Sequence, residues 1–473
     1  MLLSEILKDV EIIYTNIAAR EIEINKISTD SRTTESGDVF VCIKGEHLDS
    51  HEYVSEAISN GAAVLITDRE VDGSYIKVAD TRKTLAVMCS NYYGRPQDKL
   101  DIIAVTGTNG KTTVTHMLKA IYEEAGYKCA VIGTVTNSMT TPVPEQLYPL
   151  LADYAEAGIN YVFMEASSHA LYLGRLDGIR FRYGIFTNLT PEHMDFHGTM
   201  TEYLKAKAIL FSQCDYGLIN YDSEYSTALT KLAKCETLYY SLKSDKADYT
   251  ARNIKSFGNG GMQYDFLTIC EMFRINVAIP GMFTVYNSLS AAACAYHDGI
   301  APAVIRSAFK KLNGIPGRME FVKNDKNLQI YIDYAHTPDA LENVLNTLRE
   351  IKTTGRLIVL FGCGGDRDTV KRPLMGKIAS KLADFVIITS DNSRTEDPNG
   401  IIKDILKGID KELPYTVIEN RTDAIKYAVD TAEKDDIILF AGKGHEDYEI
   451  TAFGKNYFNE KELIHKFTSA EGT

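Results

Sequence analysis

The chain reads as an α/β protein of three domains, on three observations. Short β-branched apolar runs alternate with longer amphipathic patterns along the sequence, as strands and helices do in α/β folds. At roughly 150 residues per domain, a length of 473 is enough for about three separate cores. Turn-rich stretches break the alternation at YYGRPQDKL (92–100) and LNGIPGR (312–318), which sets expected domains at 1–98, 99–316 and 317–473.

The elements follow in order. The first segment carries DVFVCI (38–43) and AAVLIT (62–67), and the second carries IIAVT (102–106), YVFME (161–165) and YGIFTN (183–188). The third holds LIVLF (357–361), FVIITS (385–390) and DIILFAG (436–442), with helical patterns between them. All-apolar strands separated by helices imply a parallel sheet covered on both faces.

Composition narrows the classes. With 45% hydrophobic and 24% charged residues, wholesale disorder and collagen-like repeats are excluded. The 51 basic against 64 acidic residues leave a net charge of −13, which disfavours a nucleic-acid coat or an anionic-membrane binder. MLLSEILKDVEIIY is interrupted by Glu5, Lys8, Asp9 and Glu11, and nowhere do about 18 apolar residues run together. A cytoplasmic protein without membrane insertion is expected. The eight cysteines form no CxxC pair and read as reduced, mostly buried thiols.

IIAVTGTNGKTTVTHMLKAIYEEAG (102–126) is a buried strand, a Gly-rich turn and an amphipathic helix. Backbone N–H groups of Gly107, Thr108, Asn109 and Gly110 can close around phosphate oxygens, with Lys111 reaching the terminal phosphates and Thr112 or Thr113 offering a hydroxyl to Mg²⁺. Val105 stands where a strict Walker A pattern has its first glycine, so the motif is a variant. The alternative is a strand-to-helix turn that binds nothing.

Glu165 closes YVFME, directly before Ser167, Ser168 and His169. Ligands collect at that end of an open parallel sheet, so Glu165 reads as a Mg²⁺ ligand beside the phosphates or as a solvated strand-end carboxylate. TNLTPEHMDFHGT (187–199) brings His193 as either a ligand or a polar loop histidine. Lys207, in the helical pattern EYLKAKAILF, reads by residue type as an exposed lysine.

In the third segment GCGGDRD, DNSRTEDP and GKGHEDYE each follow an apolar strand, so three loops leave one sheet edge where a crevice is expected. They carry Arg367, Asp391, Arg394 and Glu446. Two guanidinium groups and two carboxylates can clamp an amino-acid zwitterion, or form a surface salt-bridge network. TDSRTTESGDVFVCIKG (29–45) reads by itself as a polar turn before a strand, Asn287 as a helix start, and DYAHTPD as a turn before Pro338.

TGTNGKTT resembles the variant phosphate loop of the Mur ligases and the related folylpolyglutamate synthetases, which join an amino acid to a carboxylate at the expense of ATP. The matching motifs run through all three segments and are most similar to the Mur ligases that add a diamino acid to UDP-MurNAc-L-Ala-D-Glu. The resemblance implies a smaller N-terminal α/β domain for UDP-MurNAc, a central P-loop-type parallel-sheet domain for ATP, and a C-terminal Rossmann-like domain for the amino acid. It implies Mg²⁺ held by Thr112, Glu165, His193 and Lys207, the last as a carbamate made with CO₂, and a catalytic set of Lys111, His193 and Lys207. Asn287, Arg318, Asp333 and His336 match ATP contacts. Ser31, Thr140, Thr141, Ser167 and Arg175 match contacts to the UDP-muramoyl peptide.

The diaminopimelate-adding members carry DNPR where this chain reads Asp391-Asn392-Ser393-Arg394. Arg394 matches the partner of the distal carboxylate, Gly442 and Glu446 match positions holding the distal amino group, and Arg367 matches a further contact. Three departures stand out: Ser393 in place of Pro, which predicts a less rigid loop, Leu173 where many relatives have Gln, and a short 133–140 segment. The expected activity is ATP-dependent amide ligation through an acyl phosphate, by a monomer acting on small molecules. The same chemistry with L-lysine or another substrate, and a non-catalytic nucleotide-binding regulator, are the alternatives.

Overall fold

A strand buried on both faces needs apolar side chains at both parities, and the quoted runs supply them. The structure is a computed structural model that describes every residue except 18–20, 46–47, 138, 258–259 and 470–473. Along the strand Asp101–Thr106, Ile103 and Val105 pack to one side of the sheet while Ile102 and Ala104 pack to the other. Tyr161–Glu165 repeats this, with Tyr161 and Phe163 opposed to Val162 and Met164.

Three main sheets result. The N-terminal one has five strands, in the order Ile12–Thr15, Tyr75–Val78, Val64–Thr67, Val39–Val41 and Ile27–Ser28, all parallel except the first. The central one has nine strands, whose parallel part runs from Tyr249–Phe257 through Glu236–Ser241, Cys214–Asn220, Phe181–Phe186, Asp101–Thr106 and Tyr161–Glu165 to Cys129–Ile132. Gly261–Leu267 and Met272–Val277 extend it antiparallel, which departs from a wholly parallel central sheet. Met272–Val277 alternates exposed and buried residues, as an antiparallel edge with one solvated face does.

The C-terminal sheet has six strands, in the order Glu320–Phe321, Gln329–Asp333, Ile437–Ala441, Leu357–Phe361, Phe385–Ile388 and Tyr415–Val417. Only the first is antiparallel. One apolar cluster runs unbroken from the central sheet, through Val114 and Leu289, to Leu357 and Val359 of the C-terminal sheet. Central and C-terminal domains therefore share a packed seam.

Two placements bear on the site. Val105 pairs with Glu165, so the carboxylate sits beside the strand that feeds the phosphate loop. The strands ending at Phe361, Ile388 and Ala441 run parallel, so their loops emerge together. One local expectation is corrected: the helix Met282–His297 begins five residues before Asn287, because the break falls at Pro280 and at Gly281, whose φ is +97°. Among the described residues no helix is long and apolar enough to cross a membrane. All eight cysteines are free, with five buried and Cys270 exposed.

Candidate active site

The phosphate loop joins Thr106 to the helix Lys111–Glu124, and its shape needs glycine twice. Gly107 and Gly110 have φ of +149° and +91°, and a Cβ at Gly110 would lie 2.5 Å from Asn287 Oδ1. The loop is held from outside. The Thr108 and Asn109 N–H groups donate to the carbonyl (3.0 Å) and side-chain Oδ1 (2.9 Å) of Asn188, while Thr187 Oγ1 donates to the Asn109 carbonyl at 2.6 Å. Lys111 Nζ donates to the carbonyls of Gly107 (2.9 Å) and Thr108 (2.8 Å). Burial lowers its pKa, opposed by the nearby Glu192 and Glu165 carboxylates.

Glu165 is buried at the strand end. Oε1 accepts from Thr112 Oγ1 (2.9 Å) and the Thr134 N–H (3.0 Å), and Oε2 accepts from Thr134 Oγ1 (3.1 Å). Thr112 and Glu165 offer hard oxygens, one of them charged, in the mixed set Mg²⁺ takes when phosphates complete its shell. Among the described residues no three His, Cys, Asp or Glu side chains converge as a metal site, so such an ion needs those phosphate oxygens.

The second acidic position is built differently. His193 has left-handed backbone (φ +57°), and its Nε2 lies 3.7 Å from Glu192 Oε2. Glu192 Oε1 faces His336 Nε2 of the C-terminal domain at 3.8 Å. Lys207 is 1% exposed, contrary to its reading by residue type. Among the described residues its amine has no hydrogen bond or ion pair, only the Tyr203 ring with its centroid 4.4 Å away. Burial, reinforced by the Lys111 cation, drives its pKa far below the ordinary lysine range, with Glu192 the only opposing charge. His193 and Glu192 are the ligand-type groups at this position, an imidazole and a carboxylate.

The peptide-side residues cluster. Thr141 Oγ1 donates to the Glu165 carbonyl (2.7 Å) and to Ser167 Oγ (3.2 Å), Arg175 Nη1 donates to the Thr141 carbonyl (3.0 Å), and Thr140 Oγ1 pairs with Thr134 Oγ1 (3.2 Å). Ser167 also caps the short helix Ser168–Tyr172. Ser31 is separate: its hydroxyl donates to Glu56 Oε2 at 2.6 Å within the N-terminal domain. That stretch still borders the central domain through Thr29 Oγ1, which donates to Glu145 Oε1 at 2.6 Å. Leu173 is half-buried at the end of the helix that Ser167 caps, and of the 133–140 segment Ser138 lies outside the described residues.

A cavity of about 270 Å³ opens between the central and C-terminal domains. Lys111, Thr112, Glu165 and His193 line one wall, with Arg318, Asp333 and His336 on the other. Arg318 crosses directly, donating from Nη2 to Thr112 Oγ1 at 2.9 Å. Asn109 Nδ2 donates to Asp339 Oδ2 (2.7 Å), and His445 Nε2 lies 3.1 Å from the Thr134 carbonyl. Asp333 accepts from the Met319 N–H (2.7 Å), and burial raises its pKa despite Arg318. Burial pushes the His336 imidazole down to about 4.

The three C-terminal loops converge, though not as a simple ring of four charges. Arg394 Nη1 donates to the carbonyls of Gly365 (2.8 Å) and Asn392 (3.3 Å), and Arg367 Nη1 to that of Asp366 (3.0 Å). Among the described residues neither guanidinium forms an ion pair. Asp391 and Glu446 lie deeper, around Lys443. A Cβ at Gly442 (φ +108°) would lie 2.8 Å from Asp391 Oδ2, which keeps that position bare. Tyr334 lines the cavity and its hydroxyl lies 3.4 Å from Glu446 Oε1, linking cavity and loops. On either side of Ser393 the Gly365 N–H donates to the Asn392 carbonyl (2.9 Å) and the Arg394 N–H to the Ile450 carbonyl (3.0 Å).

Residue-type reasoning passed over Asn188, Glu192, Tyr334, Lys443 and His445. All lie inside or beside motifs read for other residues, and only the path of each loop says which side chain points inward.

Comparisons with known proteins agree along the chain. Family profiles match it as Mur ligase family, catalytic domain (23–93), Mur ligase middle domain (105–295), and Mur ligase, glutamate ligase domain (317–444). The UDP-N-acetylmuramoyl-L-alanyl-D-glutamate--2,6-diaminopimelate ligase of Clostridium botulinum is 44% identical, covering 98% of this chain and 99% of its own. The ligase of the same name from Clostridioides difficile is 42% identical over 99% and 100%. A solved structure of a ligase of that name superposes with a TM-score of 0.71 at 32% identity, covering 100% of this chain and 99% of its own. At 16% identity, the MurF ligase of Thermotoga maritima in complex with ADP shares the fold, with a TM-score of 0.62 and coverage of 90% and 95%. On these matches, the chain belongs to the Mur ligase family.

Proposed function

We propose that the chain is an ATP-dependent amide ligase that adds meso-diaminopimelate to the D-Glu of UDP-MurNAc-L-Ala-D-Glu, in the synthesis of peptidoglycan precursors. One observation carries it. A single cavity has the phosphate loop and Glu165 on one wall and Arg318, Asp333 and His336 on the other, with Tyr334 leading from it to the Asp391–Glu446 loops. The printed names of the 42–44% identical relatives supply the substrate pair.

In this reading 1–98 holds the UDP-MurNAc end, 99–316 holds ATP, and 317–473 delivers the amino acid. The Thr108 and Asn109 N–H groups are taken by Asn188, contrary to the expectation from the sequence, so the N–H groups at the start of the Lys111–Glu124 helix, with Lys111 and Arg318, cradle the triphosphate and offset its charge, which otherwise repels an approaching carboxylate. Thr140, Thr141, Ser167 and Arg175 orient the muramoyl peptide so that the γ-carboxylate oxygen of D-Glu attacks the γ-phosphorus in line. The bond to ADP breaks and an acyl phosphate forms. The neutral amine of diaminopimelate attacks the acyl carbon, a tetrahedral intermediate expels phosphate, and the amine proton is lost. The closed seam between the two domains keeps out the water that hydrolyses acyl phosphates.

Thr112 and Glu165 would hold one Mg²⁺ and His193 with carboxylated Lys207 a second, which when bound would supply charge neutralisation at the transferred phosphoryl group. Lys207 gains that carboxylate when its neutral amine adds to CO₂, forming a carbamate and releasing a proton. An unpartnered buried amine of lowered pKa supports this. A cytoplasmic monomer fits, since one chain supplies every wall of the cavity and the nucleotide substrates are cytoplasmic.

The test is phosphate release with ATP, UDP-MurNAc-L-Ala-D-Glu and each amino acid in turn. Turnover with diaminopimelate is expected. Turnover with lysine alone overturns the amino-acid assignment, and no release with any amine favours a nucleotide-binding regulator. Arg394→Ala is expected to cut kcat/KM for diaminopimelate by about 100-fold while leaving the KM for ATP in place; unchanged turnover refutes the role given to Arg394.

A further inference from the structure

Lys443 has no role in the residue sets above, yet it is 0% exposed and lies at the centre of the amino-acid loops. Its Nζ donates to Asn392 Oδ1 (2.7 Å) and to the Tyr448 carbonyl (2.7 Å), and lies 3.4 Å from Glu446 Oε2 and 3.7 Å from Asp391 Oδ1. The Asn392 side chain is the hub of this arrangement. Its Oδ1 also accepts from the Ile450 N–H (2.9 Å), and its Nδ2 donates to Glu446 Oε2 (2.9 Å). One buried cation thus ties the 391–394 loop, the 442–446 loop and the hairpin that begins at Tyr448 into one rigid unit.

We propose that Lys443 is a positioning and specificity residue for the amino-acid substrate: it holds Asn392 and Glu446 in place and cancels one of two carboxylates, leaving a clamp that accepts one ammonium group. The inference rests on the functional reading above and deepens it. Asp391, Glu446 and Lys443 sum to a single negative charge, while Arg367 and Arg394 form no ion pair among the described residues, with the Asp366 carboxylate near enough to act on both. Below them Arg421 and Glu460 pair with each other at 2.8 Å and leave the count unchanged. A diamino diacid whose attacking amine is neutral carries one ammonium for the carboxylates and one carboxylate for each guanidinium. Lysine in the same pose leaves one guanidinium without a carboxylate.

Without the cation, the Asp391 and Glu446 carboxylates lose the positive charge between them and the Asn392 hub loses a donor. Lys443→Met is therefore expected to raise the KM for diaminopimelate by about 30-fold, with kcat changed far less and the KM values for ATP and UDP-MurNAc-L-Ala-D-Glu within about twofold. Lys443→Arg, which keeps the charge, is expected to hold the diaminopimelate KM within about fivefold. Circular dichroism and thermal unfolding of both variants check that they fold.

A wild-type KM in Lys443→Met overturns the inference. So does equal impairment in both variants, which makes the residue a packing element, and so does a parallel rise in all three KM values. Wild-type protein that turns over with lysine and not with diaminopimelate overturns the functional reading instead, before any variant is made, and the inference falls with it.

Discussion

The floor of the central domain and the loop cluster of the C-terminal domain each bury a lysine, and they treat it in opposite ways. Lys207 and Lys443 are 1% and 0% exposed. Lys207 meets an aromatic ring and, among the described residues, no carboxylate within ion-pair distance, so burial pushes its pKa down and favours the neutral amine. Lys443 meets Asn392, a carbonyl and two carboxylates, so it serves as a fixed cation. Burial by itself disfavours charge in both; the anions within reach decide which lysine is better able to keep its charge.

The comparison is broken most forcefully at Lys207. Lys207→Ala is expected to lower turnover by about 1,000-fold, since the carbamate proposed at this position then has no amine to form on. Native mass spectrometry of the wild-type chain under CO₂ is expected to show an added mass of one CO₂, absent from the variant. Full activity in Lys207→Ala, or no mass difference, ends the claim that the central lysine is the reactive one.

A middle-sized effect tests whether C-terminal charges are held by their partners. Arg421 and Glu460 are each about 1% exposed, and Arg421 also donates to the carbonyl of Ala441, next to Gly442. Burial raises the Glu460 carboxyl pKa even beside that guanidinium. Arg421→Met leaves the carboxylate buried alone and is expected to cost about 3–5 kcal/mol in urea unfolding. A cost near zero would mean that solvent reaches the pair and that the region tolerates unpaired charge.

The smallest effect concerns loop stiffness. Because Gly365, Arg394 and Ile450 already hold the 391–394 loop, Ser393→Pro is expected to change stability by less than about 1 kcal/mol and leave the diaminopimelate KM nearly unchanged. A large fall in that KM would show that the loop lacks the rigidity assigned to it.

Legibility followed contiguity. The phosphate loop was readable because Gly107 to Thr113 are adjacent in sequence and their chemistry is local. The strands were readable because all-apolar runs have few other uses, whereas MFRINV within 272–277, half exposed, did not announce an antiparallel extension. Glu165 could be placed at a strand end, but its bonds to Thr112 and Thr134 depend on three separate segments. Lys207 was misread by residue type because a helix pattern does not say what covers each face. Lys443 and Glu192 sat unseen within quoted motifs.

What the amino-acid order determined alone is the part governed by short-range physics: which runs are strands, where glycines permit a phosphate-sized turn, and which loops leave one sheet edge. What the tertiary structure decided is the charge state and duty of the buried side chains. Electrostatic energy depends on distance and on exclusion of water, and neither exists until segments far apart in sequence have packed together.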